Sequence, residues 1–350
     1  MTPHLVVINN LPAFYRTPAF AALQTAWFQA TGGRFTVIYQ SRRDPARRDE
    51  SFFTPDDELP YEHLFLSDEC DTSSGRSHYR GGFGLRTWLG SRPTHILTAG
   101  WDTPASIGSQ LYRRVTRTRL CLWSESTART SAHGGRLSTQ YRKWVVRGAA
   151  SYIFPTVASK TWLEEVAGQS LDRSLVLPNP VQGDRLPDEQ ASSPRFLFIG
   201  DLSRRKGFDL VCDAMREHAT WSCIAYGRDS ESMSGLAPSN LSWRGSQPFE
   251  TILPTLRGSD VLLIPSRSDP APLTFSEGLV LGLRIVVSPD IAYGAEFAGR
   301  GGICVPAKFS PTGLGRAMGE ALTAQRPSAD LARSAHTNHW AEEVIQQCLL

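Results

Sequence analysis

Lysine is nearly absent from this chain: Lys143, Lys160, Lys206 and Lys308 are the only four among 37 basic residues, and the rest are arginine. Against 34 acidic residues this leaves a formal net charge of +3, too small to argue for a nucleic-acid partner. No apolar run approaches the roughly 18 residues that a membrane span needs. No amino-terminal stretch combines the charged and apolar regions of a signal peptide. The six cysteines, Cys70, Cys121, Cys212, Cys223, Cys304 and Cys348, include no C-x-x-C pair and mostly sit beside apolar residues, so they read as reduced core thiols. Zinc spacings, a G-x-S-x-G and a Walker loop are also missing, and no G-x-G-x-x-G follows the first apolar run, which disfavours a dehydrogenase. These absences place the protein in a reduced cytoplasm, with peripheral membrane contact left open.

What is present is an alternation of short apolar runs and helical stretches. The chain has 350 residues, 41% of them hydrophobic, enough for about two domains with ordinary cores. Strands are expected at 5–8, 35–39, 95–99, 119–123 and 151–154, and again at 196–199, 222–226, 261–264, 285–288 and 303–305. Such alternation means βαβ units and parallel sheets, an α/β protein. Proline, glycine and serine mark 178–195 as a linker, and 41–58 and 67–84 read as long loops. The boundaries expected are 1–177, 178–327 and a terminal helix region, 328–350.

The most informative stretch is Ser266-Arg-Ser-Asp-Pro-Ala-Pro-Leu-Thr-Phe-Ser-Glu-Gly278. The apolar run Val261 to Ile264 before it reads as a buried parallel strand. A helix is expected to start at Thr274, with Thr274 as its cap and Glu277 at capping-box spacing, and to close at Gly282. Two carboxylates, Asp269 and Glu277, then bracket a loop and a helix start at the carboxyl end of a strand. Parallel sheets bind ligands there, and exposed amides there bind phosphate.

The acid–seven–acid spacing, strand before and strand after, resembles the retaining GT-B glycosyltransferases of family GT4. Phe196-Leu-Phe-Ile-Gly-Asp-Leu-Ser-Arg-Arg-Lys-Gly207 is similar to that family's strand, glycine turn and Lys-Gly helix start, and Leu177-Pro-Asn-Pro-Val181 to its interdomain linker. The three segments stand in the family's order and cover 177 to about 325. The amino-terminal half resembles it only in outline, at Leu11 to Arg16, Ala99 to Asp102 and Leu122 to Ser126, where the likeness is to members that modify polysaccharides or secondary metabolites.

The resemblance implies two Rossmann-like domains facing across a cleft, the terminal region returning to the first domain, and metal-independent transfer of a hexose with retention of configuration. The donor would be a UDP-, GDP- or dTDP-sugar with no further cofactor. The acceptor would be a hydroxyl of a saccharide, lipid-linked or small molecule. It implies that Lys206, with Arg204 or Arg205, balances the leaving diphosphate beside Gly200. Glu277 would hold the ribose hydroxyls, Asp269 the sugar hydroxyls, and the amides of Leu273 and Thr274 the diphosphate or sugar. Arg228 and Arg244, after later strands, would line the base pocket. Three positions depart from the pattern: Asp201 stands where the family usually has Arg, Asp269 where it has Glu, and Pro272 where it has Gly. An acid at 201 repels a diphosphate unless it points away. No D-x-D of the metal-dependent enzymes occurs.

In the first domain, Glu125 follows a strand and can accept an acceptor's hydrogen bond or proton. Asp102 ends the preceding strand in the same way, Trp101 or Trp123 can stack on a sugar, and Tyr15-Arg16 can cover the same crevice. Helix capping is the plainer role for both acids. His95 reads as a packed residue, and His336 and His339 as a solvated helical pair without a metal partner. Arg113, Arg114, Arg117 and Arg119, with Arg142, Lys143 and Arg147, form basic helical faces, either solvated or set against an anionic membrane. Two rivals remain: a GT-B sugar nucleotide epimerase, and a non-catalytic partner that kept the fold.

Overall fold

In the computed structural model of the chain the structure describes residues 2–45, 52–71, 79, 87, 90–101, 103–131, 136–188 and 195–349. Most of the 67–84 loop and Asp102 lie outside the described residues. The chain divides into two units, Met1–Leu177 with Thr337–Leu350, and Pro178–His336. Residues 328–336, expected with the terminal region, stay in the second unit. There the Ala335 carbonyl accepts from the Val181 amide at 2.9 Å.

The first unit holds a parallel sheet of β1 His4–Asn9, β2 Arg34–Tyr39, β3 Glu62–Phe65, β4 His95–Ala99, β5 Arg119–Trp123, β6 Ser151–Phe154 and β7 Ser174–Val176. Its order is β3-β2-β1-β4-β5-β6-β7. β1 is buried throughout, because helices cover both faces of a parallel sheet and no position along a central strand meets water. The helices are α1 Thr17–Thr31, α2 Pro104–Thr116, α3 Arg136–Gly148 and α4 Val157–Ala167. Local sequence sets their ends. Pro18 lies in the first turn of α1, and Gly32 closes it in the left-handed region at φ +61°,. Thr103 and Thr156 cap α2 and α4 by accepting from the amides of Ser106 and Ser159,.

In the second unit β8 Arg195–Ile199, β9 Ser222–Tyr226, β10 Leu241–Trp243, β11 Val261–Ile264, β12 Arg284–Val287 and β13 Ile303–Cys304 form a second parallel sheet, in the order β10-β9-β8-β11-β12-β13. Its main helices are α5 Phe208–Glu217, α6 Leu273–Leu281 and α7 Pro311–Thr323. Finally α8, Thr337–Glu343, runs into a π-helical stretch, Val344–Leu349, and packs on α1 of the first unit with Trp340 fully buried. His336 therefore precedes that helix, and only His339 lies on it.

None of the six cysteines is in a disulfide, and all but Cys304 are buried. Among the described residues no helix is long and apolar enough to cross a membrane.

Candidate functional site

Three neighbouring strand ends of the second unit are locked together by glycine. β8 ends at Gly200, whose amide donates to the Tyr226 carbonyl at the end of β9 at 2.9 Å. Gly227, at φ +140°, lies so close that a Cβ there would sit 1.9 Å from the Gly200 oxygen, and a Cβ on Gly207, at φ +77°, would sit 1.9 Å from the Pro265 oxygen just after β11. Only glycine fits either place. Residues 200–207 thus form a loop pressed onto the carboxyl ends of β9 and β11.

From that loop Lys206 reaches the carboxylate of Asp269, in the segment after β11, and forms an ion pair with it. The two side chains are only 21% and 10% exposed. Arg205 donates to the Ser268 carbonyl at 3.1 Å and stands 4.0 Å from the same Asp269 oxygen. The sequence-expected trio of Lys206, Arg205 and Asp269 is therefore one cluster. Two cations share one carboxylate, so the cluster carries a net positive charge.

Arg267 is a residue that sequence reasoning missed. Its guanidinium grips Asp209 in the first turn of α5 with two bonds of 2.7 Å and also donates to the Arg204 carbonyl. Its amide donates to the Arg205 carbonyl at 2.9 Å. The two loops are fastened there, and Lys206 is aimed from a held backbone. The Arg204 amide is occupied by Glu231 at 3.0 Å, while its side chain is exposed.

Asp201 does not face the cluster as an uncompensated charge: it pairs with Arg228 at 3.4 Å. That contact engages Arg228, expected at the base pocket. Arg244 is exposed, and its amide extends the β9–β10 pairing by donating to the Ala225 carbonyl at 2.9 Å.

The helix α6 departs from expectation at its start. Pro272, not Thr274, occupies the cap position, and no side chain caps the helix. Proline's fixed φ fits the residue entering a helix, so Leu273 and Thr274 become the first two helical residues. Phe275 already donates to the Pro272 carbonyl. Among the described residues no acceptor meets the Leu273 and Thr274 amides, so they remain free donors at a helix amino terminus. One turn further, Glu277 is half-buried. Burial pushes its carboxyl up to about 7, and no hydrogen-bond partner meets it among the described residues.

In the first unit, Glu125 lies just past β5 and forms an ion pair with Arg16. The Arg16 guanidinium stands 4.2 Å above the Trp123 ring. Neither tryptophan proposed for sugar stacking has a free face. Trp123 is buried against Trp340, with ring centres 4.8 Å apart, and Trp101 is buried against Trp162 at 5.8 Å. Large aromatic surface at these strand ends gains more from the core than from water. His95 packs against Trp27, and burial lowers it to about 4. Among the described residues no three His, Cys, Asp or Glu side chains cluster as metal ligands.

Residues 193–324 match the family model described as "Glycosyl transferases group 1". No curated protein matches the chain by sequence. Similar solved structures include the lipopolysaccharide outer core galactosyltransferase WaaB in its apo form, with a TM-score of 0.69, 12% identity and 98% of each chain covered. Alr3699/HepE of Anabaena, in complex with UDP and glucose, matches with a TM-score of 0.64 and 12% identity over 99% of this chain and 95% of that one. A sucrose-phosphate synthase from Thermosynechococcus elongatus matches at 0.60 and 13%, over 99% and 94%. The fold is GT-B, two Rossmann-like domains each built on a parallel sheet, and its second domain carries the group 1 glycosyltransferase pattern.

Proposed function

We propose that the protein transfers a hexose from a nucleoside diphosphate sugar to an acceptor hydroxyl with retention of configuration, as a GT4-type enzyme, without a metal. The observation that carries this reading is the Lys206–Arg205–Asp269 cluster beside the free amides of Leu273 and Thr274. A leaving diphosphate gathers negative charge as its bond to the sugar breaks, and preorganised cations and amides stabilise that charge most where water is scarce. Lys206 and Arg205 supply the cations. Asp269 aligns Lys206 and accepts from sugar hydroxyls, and Glu277 accepts from the ribose. Arg204, Arg228 and Arg244 border the phosphates and base, next to Gly200. The acceptor oxygen forms its bond to the anomeric carbon on the face that the diphosphate leaves, and the acceptor proton passes to a leaving phosphate oxygen. Glu125 serves the acceptor.

The HepE structure named above holds UDP, and this favours a UDP-sugar as the first donor to try. The acceptor class is a hydroxyl of a saccharide, lipid-linked saccharide or small molecule, in polysaccharide or secondary-metabolite synthesis at the cytoplasmic side. The test is to incubate the protein with UDP-, GDP- and dTDP-sugars, in EDTA and in magnesium, with acceptor pools, and to read nucleoside diphosphate release and the anomer of the product by NMR. Acceptor-dependent release with a retained anomer is expected. Release without any acceptor, giving an epimerised sugar, would put the epimerase in its place.

A further inference from the structure

The helix α2 is inside out on its outward side. Ser106, Gly108, Ser109 and Gln110 are buried on the unit, whereas Leu111 is 45% exposed and Val115 82% exposed. These two apolar residues stand at i and i+4, one above the other on the helix. Arg114 and Arg117 flank them, both exposed. Beside α2, α3 brings Trp144, with Lys143 and Arg147 on its side toward the carboxy end of α4. The two helices meet where the Arg114 guanidinium lies 4.5 Å above the Trp144 ring. Both helices run against the strands of their sheet. Their last turns therefore lie at the amino ends of β5 and β6, away from the strand end that carries Glu125.

Charge here is one-sided. Between Thr103 and Ala150 the chain has nine basic residues and a single acid, Glu125, and that acid is taken by Arg16. Among the described residues no carboxylate pairs with Arg113, Arg114, Arg117, Lys143 or Arg147. Arg113 donates instead to Gln110 at 3.2 Å, and Arg147 to the Ala167 carbonyl at 2.9 Å, so both charges stay uncompensated. The nearby Glu164 is used by Lys160 and by the Leu171 amide. Burial, and then the neighbouring Arg114, hold the pKa of Arg113 below its ordinary value, as expected where cations crowd. Arginine at a helix carboxy terminus offsets the helix dipole, which accounts for Arg113 or Arg114 taken singly. It does not account for Val115 held out in water between Arg114 and Arg117.

We propose that the last turns of α2 and α3 are a docking face for an anionic lipid bilayer. Leu111 and Val115 would enter the headgroup boundary, and Arg114, Arg117, Lys143 and Arg147 would pair with lipid phosphates. Unpaired cations around a small apolar stripe suit that surface, because phosphates draw the arginines while the acyl boundary receives the side chains that water does not. A nucleic acid would use the cations but leave Leu111 and Val115 exposed. This inference does not rest on the donor-site reading, and failure of either leaves the other standing.

The test is co-sedimentation of the full chain with phosphatidylglycerol-containing vesicles and with pure phosphatidylcholine vesicles, at low and high salt. The intact protein should bind the anionic vesicles, lose binding at high salt, and ignore phosphatidylcholine. Arg114→Glu with Arg117→Glu should weaken binding by at least about tenfold. Leu111→Gln with Val115→Gln should weaken it several-fold with the net charge unchanged. The glutamine pair should match the parent in melting temperature, the glutamate pair should melt slightly lower because it loses the Arg114–Trp144 stack and the favourable charge at the helix end,, and any nucleotide-induced shift should match the parent in both. No vesicle binding by the intact protein, or undiminished binding by both double variants, would overturn the proposal. So would binding to a short RNA that outcompetes anionic vesicles and survives Leu111→Gln with Val115→Gln.

Discussion

Lys206 and Asp269 are ion-paired across two loops, from residues 63 positions apart. The cation is neither loose nor fully neutralised, since Arg205 adds a second positive charge 4.0 Å from the same carboxylate. An entering diphosphate must share Lys206 with Asp269. Lys206→Ala should therefore cost about 10²–10³ in kcat/KM. Asp269→Asn should leave nucleoside diphosphate affinity equal or tighter while transfer of the sugar falls. Steady-state kinetics together with nucleotide titration separate the two effects.

Glu277 should make both stability and binding depend on pH. Its folded pKa, about 7, lies above the ordinary value of 4.5 because of burial. The folded state therefore holds the proton more tightly than the unfolded one. The associated stability is fully present below about 4.5 and is lost as pH rises through about 7. Glu277→Gln should melt higher than the parent at pH 8 and close to it at pH 4.5. A ribose hydroxyl donates best to the ionised carboxylate, so nucleotide affinity should fall between pH 8 and pH 6 in the parent and stay level in the variant.

Arg326 should matter for stability and not for chemistry. It is 8% exposed and donates to the carbonyls of Gly282, Leu281, Leu186 and Pro187, tying the end of α6 to the chain entering the second unit. Arg326→Ala takes their side-chain donor from the part-buried carbonyls of Gly282 and Leu186 and should cost roughly 2–4 kcal/mol,. Lysine cannot reproduce the planar fork and should recover little. Urea unfolding of the three proteins reads this directly.

Arg16 and Glu125 should be coupled. Both are largely shielded, and the pair also stacks on Trp123. A double-mutant cycle with Arg16→Ala and Glu125→Ala should give about 1–2 kcal/mol of interaction. If Glu125 serves the acceptor, Glu125→Gln should lower acceptor-dependent turnover beyond its effect on stability.

The central strands were legible because each is a short apolar run in a sheet covered on both faces. The three strands missing from the sequence reading, Glu62–Phe65, Ser174–Val176 and Leu241–Trp243, all lie at sheet edges. An edge strand pairs on one side only and needs no continuous apolar run, and Glu62-His-Leu-Phe65 alternates in exposure,. At the candidate site Asp269, Glu277 and Lys206 were singled out by their resemblance to the family's segments, and the structure brings Lys206 and Asp269 together. The helix start was misplaced at Thr274, since the capping pattern outweighed the proline two residues earlier. Arg267 carried no signal, because an arginine between two serines looks like any loop residue until its partner, Asp209, is seen. The tryptophans misled, since an aromatic after a strand suits a sugar platform and a buried core plug equally.

The most direct measurement is the melting temperature with UDP, GDP, ADP and dTDP, with and without magnesium, for the intact protein and Lys206→Ala. A ligand that binds only the folded state must raise it. One nucleoside diphosphate should stabilise the intact protein without magnesium, and the shift should vanish in the variant. No shift with any of them, or a shift that survives Lys206→Ala unchanged, would contradict this and leave a GT-B protein without a working donor site.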